Sequence, residues 1–182
     1  KEFCESLLLR FGLTSTSLIS RCACGLPFSV NHALSYKMGG LIGQQHDGYS
    51  DEWQTLCGAA LKPSCVHNRP RISTGRVTAT ADGALPTVGQ DLAGDSNCFN
   101  FWAADRTAVF DVRVVHLDVP SYLPRTNESV LLSHEHEKKK KYVLPCAEIN
   151  RSFTPLVFSS DGMQAVEHDK ATKRLAFHLS IK

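Results

Sequence analysis

With 182 residues, 42% of them hydrophobic and 21% charged, the chain carries enough apolar material for one packed domain and has the composition of an ordinary globular protein. Twenty lysines and arginines stand against 18 aspartates and glutamates; the net charge of +2 argues neither for nor against nucleic acid, and the cluster Lys138 to Lys141 matters more than the total. No apolar run approaches a membrane span and no secretory leader pattern is present, so the expectation is a nuclear or cytoplasmic protein, not secreted, with no membrane partner. Seven scattered cysteines, an odd count without a secretory signal, predict reduced thiols rather than a disulfide framework. Beginning at Lys1 and ending in a helical pattern, the chain reads as a fragment or trimmed product of something longer.

In chain order, Phe3, Leu7, Leu8 and Phe11 predict a short amphipathic helix over 2–11. Residues 20–40 form a compact loop region with Cys22, Cys24, Pro27, His32 and Gly39-Gly40. Trp53, Leu56, Cys57, Ala60 and Leu61 fall at helical spacing and predict a helix over 49–61, stopped by Lys62-Pro63. Residues 62–93 are rich in Pro, Gly, Thr and Ser without periodicity and read as a linker. Strands follow at 96–102 and 107–115, joined by a turn at 103–106. A helix starts near Thr126 or Asn127 and ends before Pro145. Leu156 to Phe158 make a short buried strand, and Asp161-Gly162 turns into a last helix over about 164–180. The pattern is α+β, or mixed α/β, divided as 1–61, a linker over 62–93, and 94–182.

Phe110-Asp-Val-Arg-Val114 places a carboxylate inside an apolar strand. Alternation puts Val109, Asp111, Arg113 and Val115 on one face and Phe110, Val112 and Val114 on the other. A buried carboxylate needs a cation or hydrogen bonds opposite it. The partner of Asp111 is therefore an arginine or lysine, or a divalent metal. Metal-dependent hydrolysis needs at least two hard oxygen ligands, which Asp95 and Asp111 could supply from adjacent antiparallel strands. Arg113 could clamp a phosphate but cannot act as a base. Glu135, Lys138, Lys139 and Tyr142 follow three- and four-residue steps along one helix stripe, from which a lysine could reach the site. The structural alternative is a solvated lysine face, an intrahelical Glu135–Lys139 pair and an Asp111–Arg113 salt bridge.

Cys22, Cys24 and His32 lie within eleven residues in a Pro- and Gly-containing loop, a setting that suits a small zinc (Zn2+) site with His46 as fourth donor, or Cys4 or Cys57 instead. Buried thiols with a capping histidine are the alternative. The remaining histidines have no triad-like context.

The order of these motifs resembles a known family. Cys22-Ala-Cys24-Gly25, His32-Ala-Leu34, Gly39-Gly40 and His46 resemble the cysteine–histidine knuckle downstream of the polymerase in LINE-type (non-LTR) retroelement proteins. Asp51-Glu-Trp53 with Leu56-Cys57 and Ala60-Leu61 is similar to the helix that follows there. Gly94-Asp95 ahead of Phe101-Trp102, then Phe110 to Val114, resembles that family's restriction-enzyme-like endonuclease. So do Ser121-Tyr122, His134-Glu135 with Lys138 to Tyr142, and Phe153 to Phe158 with Asp161-Gly162.

The resemblance spans residues 3 to 182. It implies a restriction-endonuclease-like core, a small sheet flanked by helices, preceded by a Cys/His loop module. The implied activity is nicking of target DNA so that the exposed strand end primes reverse transcription, with DNA and element RNA as partners. Carried over by residue, Asp95 and Asp111 would hold Mg2+ or Mn2+. Lys138 or Lys139 would be the catalytic lysine, with Glu135 and Tyr142 beside it. Cys22, Cys24 and His32 would be knuckle ligands.

The chain departs from the family pattern at Tyr36, where a fourth knuckle cysteine is usual, and at Gln45-His46-Asp47, which replaces Arg-His-Asn. Ser96-Asn97-Cys98 also stands where apolar strand residues are expected. No polymerase motif is present, and together these features suggest a detached, decayed copy. Two non-enzymatic alternatives follow: a nucleic-acid-binding remnant held by the basic helix, and a zinc-stabilised interaction module.

Overall fold

A computed structural model describes residues 19–29, 32, 41–72, 77–78, 87–88 and 92–182; the helix expected over 2–11, Tyr36 and Gly39-Gly40 lie outside them. The elements in chain order are α1 (Leu41–Ala60), β1 (Val66–Asn68), β2 (Arg71–Ile72), β3 (Val77–Thr78), β4 (Thr87–Val88), β5 (Leu92–Ala93), β6 (Ser96–Phe99), β7 (Thr107–Val115), α2 (Asn127–Glu148), β8 (Arg151–Ser159) and α3 (Val166–Ser180). Among the described residues this is a mixed α+β arrangement: three helices and a four-stranded mixed sheet in the order β1-β6-β7-β8. β1, β6 and β7 run antiparallel, whereas β7 and β8 pair in parallel with α2 as the crossover between them. Of two small ladders, β2 with β5 continues the β1–β6 pairing through the Arg69–Asp95 and Gly94–Pro70 backbone hydrogen bonds, and β3 pairs with β4.

The alternation of β7 divides the interior as its sequence predicts. Phe110 and Val112 face a core shared with Trp53 and Cys57 of α1 and Ala171 and Leu175 of α3. Val109 packs on the other face against Tyr142 and Cys146 of α2, and Val115 packs there with Val130 and Leu131. The sheet is thus covered by α1 and α3 on one side and by α2 on the other, and both faces of β7 are buried.

Several boundaries differ from the predicted ones, each for a local reason. α1 begins at Leu41, before the expected residue 49; Gly43 and Gly48 weaken its helical signal without breaking it. α2 continues through Pro145 to Glu148. A proline there removes one N–H donor, but the residues flanking it, Tyr142 and Cys146, are anchored in the core. β6 stops at Phe99 because Asn100 adopts φ 64° and its side-chain oxygen accepts from Asp105 N at 2.7 Å, closing a hairpin loop. β8 is nine residues long and carries Pro155 in its interior, which an edge strand tolerates on its unpaired side. Segment 62–93 is not wholly a linker: its Val66–Asn68 stretch joins the sheet as edge strand β1, held by pairing to β6 rather than by any apolar period of its own.

Candidate active site

Asp111 sits in the middle of β7 and is 5% exposed. Asp95 immediately precedes β6. Its N–H donates to Phe110 O at 2.9 Å, and its Oδ2 accepts the Val112 N–H at 2.6 Å and Nε2 of His46 at 3.1 Å. Asp95 therefore bonds to both chain neighbours of Asp111, and the two carboxylates are held side by side. Gly94 makes this approach possible, because a Cβ there would lie 2.5 Å from Val109 Cγ1.

Cations close the pair from two sides. Lys138 Nζ, from α2, forms an ion pair with Asp111 Oδ2, so the partner that the strand sequence demanded is a lysine of the following helix and not Arg113, which is exposed. His46, from α1, pairs with Asp95 and with Asp47 Oδ1, each at 3.1 Å. Tyr142 stands beside the pair and its hydroxyl helps to favour ionised Asp111, while the Lys138 ammonium lies 5.8 Å from the centre of the Tyr142 ring.

These contacts push the two acids apart in proton affinity. Burial raises the Asp111 carboxyl above the ordinary range, Lys138 pulls it back and the neighbouring Asp95 charge adds to the rise. Asp95 is also penalised by burial, yet the His46 hydrogen bond and the Val112 N–H outweigh that and hold it below the ordinary range. His46 is raised to about 9, first by its bond to Asp95, against the opposing effect of burial, and further by Asp47. Burial and then Asp111 push the Tyr142 hydroxyl up, so it stays a proton donor near neutrality. Beside Asp95 a cleft of about 230 Å³ is bordered by His46, Asp47, Ser50, Asp51 and Arg69.

No family model and no curated protein sequence matches this chain. The chemistry therefore rests on the arrangement itself.

Two of the residues expected at the site lie elsewhere. Glu135, 3% exposed, accepts the Glu167 N–H at 3.0 Å and pairs with Lys139 at 3.0 Å, while Lys139 also reaches Glu167 at 3.1 Å. The N-cap of α3 is Ala165, which has no side chain to accept an orphan N–H, and Glu135 supplies that acceptor from α2. Glu135 and Lys139 thus staple α2 to α3, whereas Lys138 and Tyr142 serve Asp111. Glu167 completes the staple and was missed, since nothing in its local sequence links it to Glu135, 32 residues earlier.

The second correction concerns His46. The expected fourth zinc donor is bound to Asp95 at the carboxylate pair instead, because its helix packs on the sheet. Cys22, Cys24 and His32 do come together, with donor atoms within 4.8 Å of one another, and could hold a metal ion. The turn that aligns them runs through Gly25 at φ +84°, with Gly25 N bonded to Cys22 O at 2.9 Å. Cys24 Sγ and His32 Nε2 are 3.2 Å apart. The Cys22 thiol is lowered to about 7, chiefly by the Cys24 N–H and then by His32, which favours the thiolate that a metal requires.

Proposed function

We propose that the chain is a metal-dependent DNA endonuclease domain of the retroelement type that its motifs resemble. The observation that carries this reading is the side-by-side pair Asp95 and Asp111 with Lys138 on it, a hard-oxygen donor set in a partly dry site. Buried carboxylates at one place repel each other, and their charges call for a cation between them. Asp95 and Asp111 would hold a magnesium ion, which when bound supplies Lewis-acid polarisation of a phosphate oxygen. Lys138, released from its ion pair with Asp111, would orient the attacking water or meet the charge that develops on the phosphate. Tyr142, beside Asp111, would favour its ionised form. Arg113, two residues along the strand and exposed, would clamp a phosphate beside the scissile one. The target would be duplex DNA, nicked to expose a priming end.

One observation favours a second reading. Each acid already has a cation of the protein on it, Lys138 for Asp111 and His46 for Asp95, and a non-catalytic nucleic-acid-binding remnant would be stable with those pairs closed. Plasmid relaxation separates the two. The endonuclease converts supercoiled plasmid to open circle in magnesium, and both Asp111→Ala and Asp95→Asn abolish this; intact supercoiled plasmid with the unaltered protein would sink the enzyme reading.

A further inference from the structure

A second cleft, of about 420 Å³, lies on the same sheet face as the carboxylate pair, toward the β6–β7 hairpin. Its floor draws on two rungs of the sheet: His67 and Asn97 pair in one, and Phe99, Thr107 and Arg151 pair two residues further along β6. Alternation places Asn97, Phe99 and Thr107 on the side of Asp111. At about 3.3 Å per residue, Asn97 is roughly 7 Å and Phe99 roughly 13 Å along the strand from Asp95. A nucleic-acid strand that crosses the carboxylates along β6 would reach this floor within about two nucleotides of the scissile phosphate.

The chemistry of the cleft is donor-rich. Arg151 contributes a guanidinium, Ser64 and Thr107 contribute hydroxyls, and no carboxylate is among the lining residues. His67 Nδ1 is 3.2 Å from Asn97 Oδ1; with the ring donating there, the Asn97 amide N–H groups remain as donors. Phe99, 37% exposed at the last position of β6, places an aromatic ring on this floor among polar groups. An aromatic face among donors suits an unpaired nucleobase with its sugar–phosphate. Base–aromatic stacking contributes about 1–3 kcal/mol per base and tolerates any base. The volume lies within the range of clefts that hold small organic groups, about 300–1,000 Å³.

We infer that this shelf binds an unpaired nucleotide of the DNA strand adjoining the nick, stacked on Phe99 and anchored through its phosphate by Arg151. The inference rests on the nuclease reading for its place in the reaction, but its own test does not need cleavage. Binding of the full chain to a fluorescein-labelled oligodeoxythymidylate, read by anisotropy in EDTA, should weaken about 5- to 150-fold in Phe99→Leu, which keeps apolar bulk but loses the ring. Phe99→Trp should bind at least as well as the unaltered protein, and Arg151→Gln should weaken binding and flatten its salt dependence. Unchanged affinity in Phe99→Leu, with an unchanged urea midpoint as the folding control, overturns the shelf whether or not the protein nicks plasmid. Loss of binding in Phe99→Leu in a protein that never nicks keeps the shelf and removes the nuclease.

Discussion

A Cβ atom at position 94 would lie 2.5 Å from Val109 Cγ1 and 3.0 Å from Phe110 O, so the fully buried Val109 side chain would have to move and the Phe110 carbonyl to give way by a few tenths of an ångström. Gly94→Ala is expected to cost about 1–3 kcal/mol, seen as a lower urea midpoint, and to impair nicking because it moves Asp95 relative to Asp111. The two adjacent lysines of α2 should behave differently. Lys138→Gln removes the cation on the buried Asp111 and should abolish nicking. Lys139 is 35% exposed in its pairs with Glu135 and Glu167, so solvent screens it, and Lys139→Gln should cost less than about 1 kcal/mol and leave nicking near normal. Equal loss of activity in the two variants would refute this division.

At the scale of elements, His168 ties three of them together. It sits in α3, is 1% exposed, donates from Nδ1 to Val157 O of β8 at 3.2 Å and accepts from the Tyr49 hydroxyl of α1 at 2.5 Å. Burial depresses the His168 pKa, and burial likewise pushes Tyr49 up to about 12, so both stay neutral in the folded protein. The sign follows from proton uptake. Below about pH 6.5 the unfolded chain protonates this histidine while the folded one resists. Its contribution is complete above that value and is lost as pH falls toward the depressed folded pKa. The urea midpoint should therefore fall between about pH 7 and pH 5, and His168→Gln should remove part of that slope. An identical slope in the variant would show that His168 is not the group responsible.

Across the whole molecule, the carboxylate pair lies at a seam where α1, the sheet and α2 meet, and each contributes to it: His46, the two acids, and Lys138 with Tyr142. The Cys22, Cys24 and His32 cluster draws on none of these elements. Zinc should accordingly bind in metal analysis of the purified protein, with occupancy lost in Cys24→Ser, while chelation leaves the main thermal transition within a few degrees of its original midpoint. A collapse of that transition on chelation would mean that the knuckle supports the sheet. Among the described residues no helix is long and apolar enough to cross a membrane.

The sequence by itself determined the local features. The period-two pattern of residues 107–115 assigned both faces of β7, Thr126 marked the start of α2, and Asp161-Gly162 marked the turn before α3. It also demanded a cation for Asp111, because the cost of burying a charge depends on neither topology nor register. The tertiary structure decided which cation, since Lys138 and Lys139 are neighbours in sequence yet point about 100° apart on a helix. It likewise placed His46 on Asp95 across 49 residues, turned Glu135 into a cap for α3 and recruited residues 66–68 into the sheet. Those outcomes depend on how helices dock onto the sheet, and local spacing carries no record of docking.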